Sequence, residues 1–138
     1  MTSASAHYLQ VLDFASTDFD ARDPVRIALD NVIRYIASNP TENLRYLTFG
    51  ILRDAAKLES NQGEILHRMI AYLTGERAKI LHIVYEYVDD DFEHELNTEE
   101  TDIFIADESF CDPRTGYPVA DCANSIYVFF RPNYTAFH

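Results

Sequence analysis

Residues 80–91 read Ile80-Leu81-His82-Ile83-Val84-Tyr85-Glu86-Tyr87-Val88-Asp89-Asp90-Asp91, and the hydrophobic period of the chain changes here. Leu81, Ile83, Tyr85 and Tyr87 fall on one side of an extended chain, and His82, Val84, Glu86 and Val88 on the other. Both sides are rather apolar and rich in β-branched and aromatic residues. That pattern predicts a strand over 80–88, flanked on both faces.

Upstream, apolar residues recur at helical spacing. Asp23-Pro24 is a helix start, with an acidic N-cap and Pro in the first turn, and Val25, Leu29, Val32, Ile33 and Ile36 then share one face. Asn39-Pro40 ends this helix. Leu44, Leu47, Ile51, Ala55 and Leu58 fit one helix over 41–59, interrupted by Gly50. They fit equally an extended piece at 44–47 followed by a helix capped by Thr48 and running to Glu59, and the split is preferred. Ile65, Leu66, Met69, Ile70 and Leu73 form the stripe of a third helix, which Gly75 stops. Residues 1–22 are weakly patterned; Tyr8, Leu9, Val11, Leu12 and Phe14 suit a short strand or a helical turn.

Downstream, residues 89–100 read as an acidic loop or strand extension, and Ile103-Phe104-Ile105 as a returning strand. Asp112-Pro113-Arg114-Thr115-Gly116 carries the residues of a tight turn, with Tyr117 to Val119 pairing back across it. The last strand is Ser125 to Arg131, ended by Pro132-Asn133. Three N-terminal helices followed by an antiparallel β-meander give an α+β fold. With 138 residues, the expectation is one domain over 1–138.

Charge divides the chain unevenly. The formal net charge is −12, and residues 80–138 hold thirteen acids against Arg114 and Arg131. Ten of those acids lie between Asp89 and Glu108, a stretch without Lys or Arg. Such a field repels nucleic acid and anionic membranes and attracts basic partners. No apolar run reaches the roughly 18 residues of a membrane span, and Met1 to Ala6 lack the pattern of a signal peptide. Cys111 and Cys122 read as reduced thiols of a cytoplasmic protein, or as a disulfide closing a small loop.

The order of helix, extended piece, helix, turn, helix, strand and returning strand over residues 24–107 resembles a winged helix-turn-helix domain. In that layout Arg45 to Leu58 leads into and through the second helix, and Asn61 to Thr74 is the third. Residues 80–90 and 102–107 flank the wing, and 108–138 is a C-terminal β extension. The resemblance implies a transcriptional regulator that binds DNA. The surface departs from it: Arg68 beside Glu64 is the only base inside the third helix, and the wing is acidic. Phosphate attraction needs cations at the contact. Direct nucleic-acid binding is therefore not the leading expectation; a face built from Arg22, Arg26, Arg34, Arg45 and Arg53 is the alternative.

The candidate site is a partner-binding surface of Asp89, Asp90, Asp91, Glu93, Glu95, Glu99, Glu100 and Asp102. On one strand, Asp89, Asp91, Glu93 and Glu95 would share a face at intervals of about 6.7 Å, a spacing that can imitate phosphates or dock on a basic groove. A solvated loop that only keeps the protein soluble is the simpler reading. The acidic run lacks the central Gly of a calcium loop. Cys111, Cys122, His82, His94 and His138 lack zinc-ligand spacing. No cofactor motif and no activated nucleophile appears, so no enzyme is expected. Tyr117, Tyr127, Phe129, Tyr134 and Phe137 offer aromatic surface for a protein interface or a homodimer. The expected function is a small acidic binding protein, in the form of an inhibitor or nucleic-acid mimic docking on a basic protein. A DNA-binding regulator and an adaptor subunit of a larger complex are the alternatives.

Overall fold

The structure is a computed structural model that describes residues 3–133. Four helices precede the first strand: α1 (Ser3–Asp18), α2 (Pro24–Ser38), α3 (Phe49–Ala55) and α4 (Gly63–Thr74), with a 3₁₀ turn at Thr41–Leu44. Then come β1 (Leu81–Asp89), β2 (Phe92–Glu95), α5 (Thr98–Asp107), a second 3₁₀ turn at Cys122–Ser125 and β3 (Ile126–Pro132). The fold class is α+β, with an antiparallel sheet in the order β2-β1-β3. The chain divides into two compact units, one of residues 1–83 and 130–138, the other of residues 84–129. The division falls inside β1 and inside β3, so each of these strands contributes to both.

In the first unit α2 is the helix on which α1, α3 and α4 pack. Its sequence explains why. The Asp23 carboxylate accepts from the Val25 N–H at 2.9 Å, which caps the helix, and Pro24 supplies a preset φ. Val25, Ala28, Leu29, Val32, Ile33 and Ile36 are all buried, a stripe wide enough to serve several neighbours. Thr48 caps α3 by accepting from the Ile51 N–H at 3.1 Å. Gly75 ends α4. Leu47 and Phe130 exchange backbone hydrogen bonds, so the extended piece before α3 is a single bridge to β3. The Asn133 N–H donates to the Ile80 carbonyl, bringing the end of β3 beside the start of β1.

The N-terminal segment differs from its expected short strand or turn: it is a 16-residue helix. Tyr8, Val11 and Ala15 of this helix are buried. Its C-terminal end is fastened by polar contacts. Asp18 Oδ2 accepts from the Tyr72 hydroxyl at 2.6 Å and from the Arg77 guanidinium, which lies 4.3 Å from the centre of the Phe14 ring. Phe19 meets Tyr72 edge to face at 5.2 Å.

The second unit departs from the expected meander. Ile103, Phe104 and Ile105 lie in helix α5, not in a strand. Residues 89–100 are not one loop but a hairpin turn, a second strand and the start of that helix. The returning strand beside β1 is β3. Tyr87, Leu96, Phe110, Cys122 and Ile126 make the buried cluster, with Tyr85, Phe92, Phe104 and Val119 half-buried against it. The turn at 112–116 is as expected: the Asp112 carbonyl accepts from Thr115 and Gly116, and Gly116 has φ +76°. Cys111 bridges Pro118 across it. Cys111 and Cys122 are free thiols, Cys111 exposed and Cys122 buried. Tyr134, Phe137 and His138 lie outside the described residues. No helix among those residues is long and apolar enough to cross a membrane.

Burial, and then the bond to Asp18, raise the Tyr72 phenol to about 12. The unfolded phenol ionises near pH ~10, so this contribution to stability is complete below that pH and is lost as pH rises through about 12. Ultraviolet titration of the nine tyrosines should show a late-ionising component. Asp18→Asn should move it to lower pH and lower Tm; a variant titrating like the parent would contradict the assignment.

Candidate functional site

The second unit, residues 84–129, contains thirteen acids and one base, Arg114. The first contains ten of each. The entire net charge of −12 therefore resides in one third of the chain.

The hairpin decides where the first acids point. In the β1–β2 register Glu86 faces Glu95, Tyr87 faces His94, Val88 faces Glu93 and Asp89 faces Phe92. Directly opposed residues share a face of the sheet. Asp89 thus lies with Tyr87, Phe92 and His94, while Glu93 and Glu95 lie on the other face with Val88 and Glu86. The expected single row of Asp89, Asp91, Glu93 and Glu95 does not exist, because the chain reverses at Asp90-Asp91. Asp90 takes φ +52°, a left-handed conformation that Asp tolerates better than most residues.

Asp89 is consumed by the fold. The Arg114 guanidinium donates to Asp89 Oδ2 at 2.7 Å and to Asp112 at 2.7 and 3.1 Å. It also lies 4.1 Å from the centre of the Phe92 ring. Asp112 accepts in addition from the Arg114 backbone N–H at 2.8 Å. The side chain of Asp112 is nearly buried, at 12% exposure. The Arg114 side chain beside it holds its carboxyl down at about 2 despite that burial. The two carboxylates in turn raise the Arg114 guanidinium above its ordinary range. Loss of water around the Tyr87 ring raises its phenol, and the charges of Asp89 and Asp112 add to the effect.

Glu100 is consumed as well. Asn97 accepts from the Glu100 N–H at 2.8 Å and Glu100 accepts from the Asn97 N–H at 2.9 Å, a reciprocal capping box that starts α5. The same carboxylate meets His94 Nε2 at 2.9 and 3.1 Å, and the imidazole stacks parallel to Phe92. Asp90, Asp91, Glu93, Glu99 and Asp102 are exposed and have no ion pair among the described residues. Glu95 is exposed on β2.

Sequence reasoning passed over several members of this surface. Asp107, Glu108 and Asp121 are exposed acids of the same unit, also without an ion pair among the described residues. No side chain of α5 is fully buried. Ile103 and Ile105, expected inside a strand, are 44% and 62% exposed. A small cavity of about 130 Å³ is lined by Glu100, Ile103, Ser109, Phe110 and Cys111. Among the described residues no group of three His, Cys, Asp or Glu side chains is disposed to hold a metal ion. Comparison with protein-family models, curated proteins and solved structures returns no match.

Three outcomes follow for the hairpin and its clamp. Arg114→Gln should lower Tm by roughly 5–10 °C and speed amide exchange at Tyr87 and His94 but not at Leu29. Asp112 ionises near about 2 when folded and near ~3.9 when unfolded. The stability it contributes is therefore present above about pH 4 and lost as pH falls toward 2. Acid unfolding of Asp112→Asn should lack that contribution. Asp90→Gly should stabilise by about 0.5–1 kcal/mol, because glycine adopts positive φ without strain; urea denaturation at neutral pH measures it.

Proposed function

We propose that the protein is a non-enzymatic binding module whose acidic unit docks on a basic protein surface. The observation that carries this reading is the confinement of the whole net charge, −12, to residues 84–129. A unit of that charge steers cationic partners from a distance and weakens its hold as salt rises. Eight exposed carboxylates there, Asp90, Asp91, Glu93, Glu99, Asp102, Asp107, Glu108 and Asp121, keep their charge free for such a partner. An inhibitor of a nucleic-acid-binding protein is the form of this function that uses the surface most directly, since carboxylates then stand where phosphates would. We take the setting to be cytoplasmic, where two free thiols persist.

A winged-helix layout of the first unit is the companion proposal. It is supported by α2, the Leu47 bridge to β3, α3, α4, β1 and the return of β3 beside β1. The segment between β1 and β3 then stands in the place of the wing. The DNA-binding use of such a layout has weaker support. The exposed residues of α4 are Gly63, Glu64, His67, Arg68 and Ala71, and Arg68 approaches the Asp23 carboxylate at 3.8 Å. The inserted segment carries eleven acids and would repel a phosphate backbone.

Immobilised protein should retain basic proteins from a lysate at low salt and release them as salt is raised through the physiological range. A variant with Asp90→Asn, Asp91→Asn, Glu93→Gln, Glu99→Gln and Asp102→Asn should retain at least tenfold less, roughly the effect of removing 1.4 kcal/mol of attraction. Retention that is indifferent to salt and to these substitutions would sink the proposal. Duplex DNA in a gel-shift assay at low salt tests the regulator reading directly.

A further inference from the structure

The acidic surface has an apolar socket in it. Ile103 sits on α5 with Glu99 one turn before it, Asp107 one turn after it and Glu100 beside it. Residues three and four apart on a helix are surface neighbours, so Ile103 is ringed by carboxylates. It also borders the cavity of about 130 Å³ that Phe110, Cys111, Ser109 and Glu100 complete. Phe110 is buried, and Cys111 and Ser109 are exposed. Ile105 lies elsewhere: at 100° per residue it is about 160° round the helix from Ile103. Its exposure, 62%, is not part of the socket.

A solvated acidic surface gains nothing from an exposed isoleucine beside an apolar hollow. A docking surface does, because interface affinity concentrates in one desolvated apolar contact surrounded by a charged rim. The charge of the rim fixes the chemistry of what enters. An anionic or neutral segment would leave Glu99 and Asp107 uncompensated, whereas a cationic one neutralises them.

We infer that the cavity beside Ile103 seats an aliphatic or aromatic side chain of a basic amphipathic segment, whose flanking Lys or Arg residues lie over Glu99 and Asp107. This rests on the reading of the second unit as a docking surface, and it adds that recognition is anchored by an apolar contact and not by charge alone.

Two synthetic peptides of equal length and equal positive charge test it on the full chain. One is a Leu/Lys peptide of amphipathic helical pattern, and the other has Ser in place of every Leu. Fluorescence anisotropy at low salt should show the Leu/Lys peptide binding at least tenfold more tightly. Ile103→Ser should weaken the Leu/Lys peptide roughly five- to tenfold and leave the Ser/Lys peptide unchanged. Ile105→Ser, on the other side of α5, should change neither. The Leu/Lys peptide should also slow the reaction of the Cys111 thiol with an aromatic disulfide reagent. Equal binding of the two peptides, an unaffected Ile103→Ser variant or an unprotected Cys111 overturns the anchor while leaving charge-driven docking intact. Failure of both peptides to bind at low salt overturns the docking reading itself.

Discussion

Thirteen carboxylates share the second unit with one guanidinium, and the local fold depends on how that guanidinium is used. Arg114 spans two acids that are far apart in sequence, Asp89 at the end of β1 and Asp112 at the start of a turn, and lies over Phe92 at the start of β2. One side chain thus ties the hairpin to the 112–116 turn. The arrangement stabilises because Asp112 is nearly buried: its charge would be costly there without a partner, and a partner with several donors satisfies both of its oxygens. Asp90, Asp91, Glu93, Glu99, Asp102, Asp107, Glu108 and Asp121 have no ion pair among the described residues and stay in water, where their self-energy is low.

This constraint separates structural acids from available ones, which composition alone cannot do. Asp89, Asp112 and Glu100 have roles inside the fold. The pairing register sends Asp89 to the face opposite Glu93 and Glu95. The capping box takes Glu100 into the first turn of α5. What is left is a surface of exposed acids on the turn, on β2 and on α5, with one apolar hollow among them.

Much of the fold was legible where a single periodicity met clear end signals. Asp23-Pro24, the stripe of α2, Gly75 and the turn at 112–116 all say locally what the structure does. The failures have identifiable causes. In α1, Tyr8, Val11 and Ala15 do follow a helical stripe, but Leu9, Leu12 and Phe14 spread apolar character over the other faces and hide it. In α5, Ile103-Phe104-Ile105 has strand propensity, yet Asn97 and Glu100 carry the two residues of a capping box. A satisfied cap and ten helical residues outweighed a three-residue preference whose differences are tenths of a kcal/mol per residue. The candidate site was legible as a region and not as a geometry. A row of acids along one strand was the natural extrapolation, and the turn at Asp90-Asp91 is set by pairing partners that lie on the far side of it.

The two ends of α5 differ in how their acids meet the helix dipole. Glu99 and Glu100 stand in its first turn, where the positive end of the helix dipole favours them. Asp107 and Glu108 stand at the opposite end, with no basic residue in the last turn. Each acid there opposes the dipole by about 0.3–1 kcal/mol, and Glu108 adds a left-handed conformation at φ +51° that glycine would adopt without strain. Asp107 and Glu108 have no ion pair among the described residues to offset these costs. A cationic surface laid over α5, as proposed for the docking partner, would offset them.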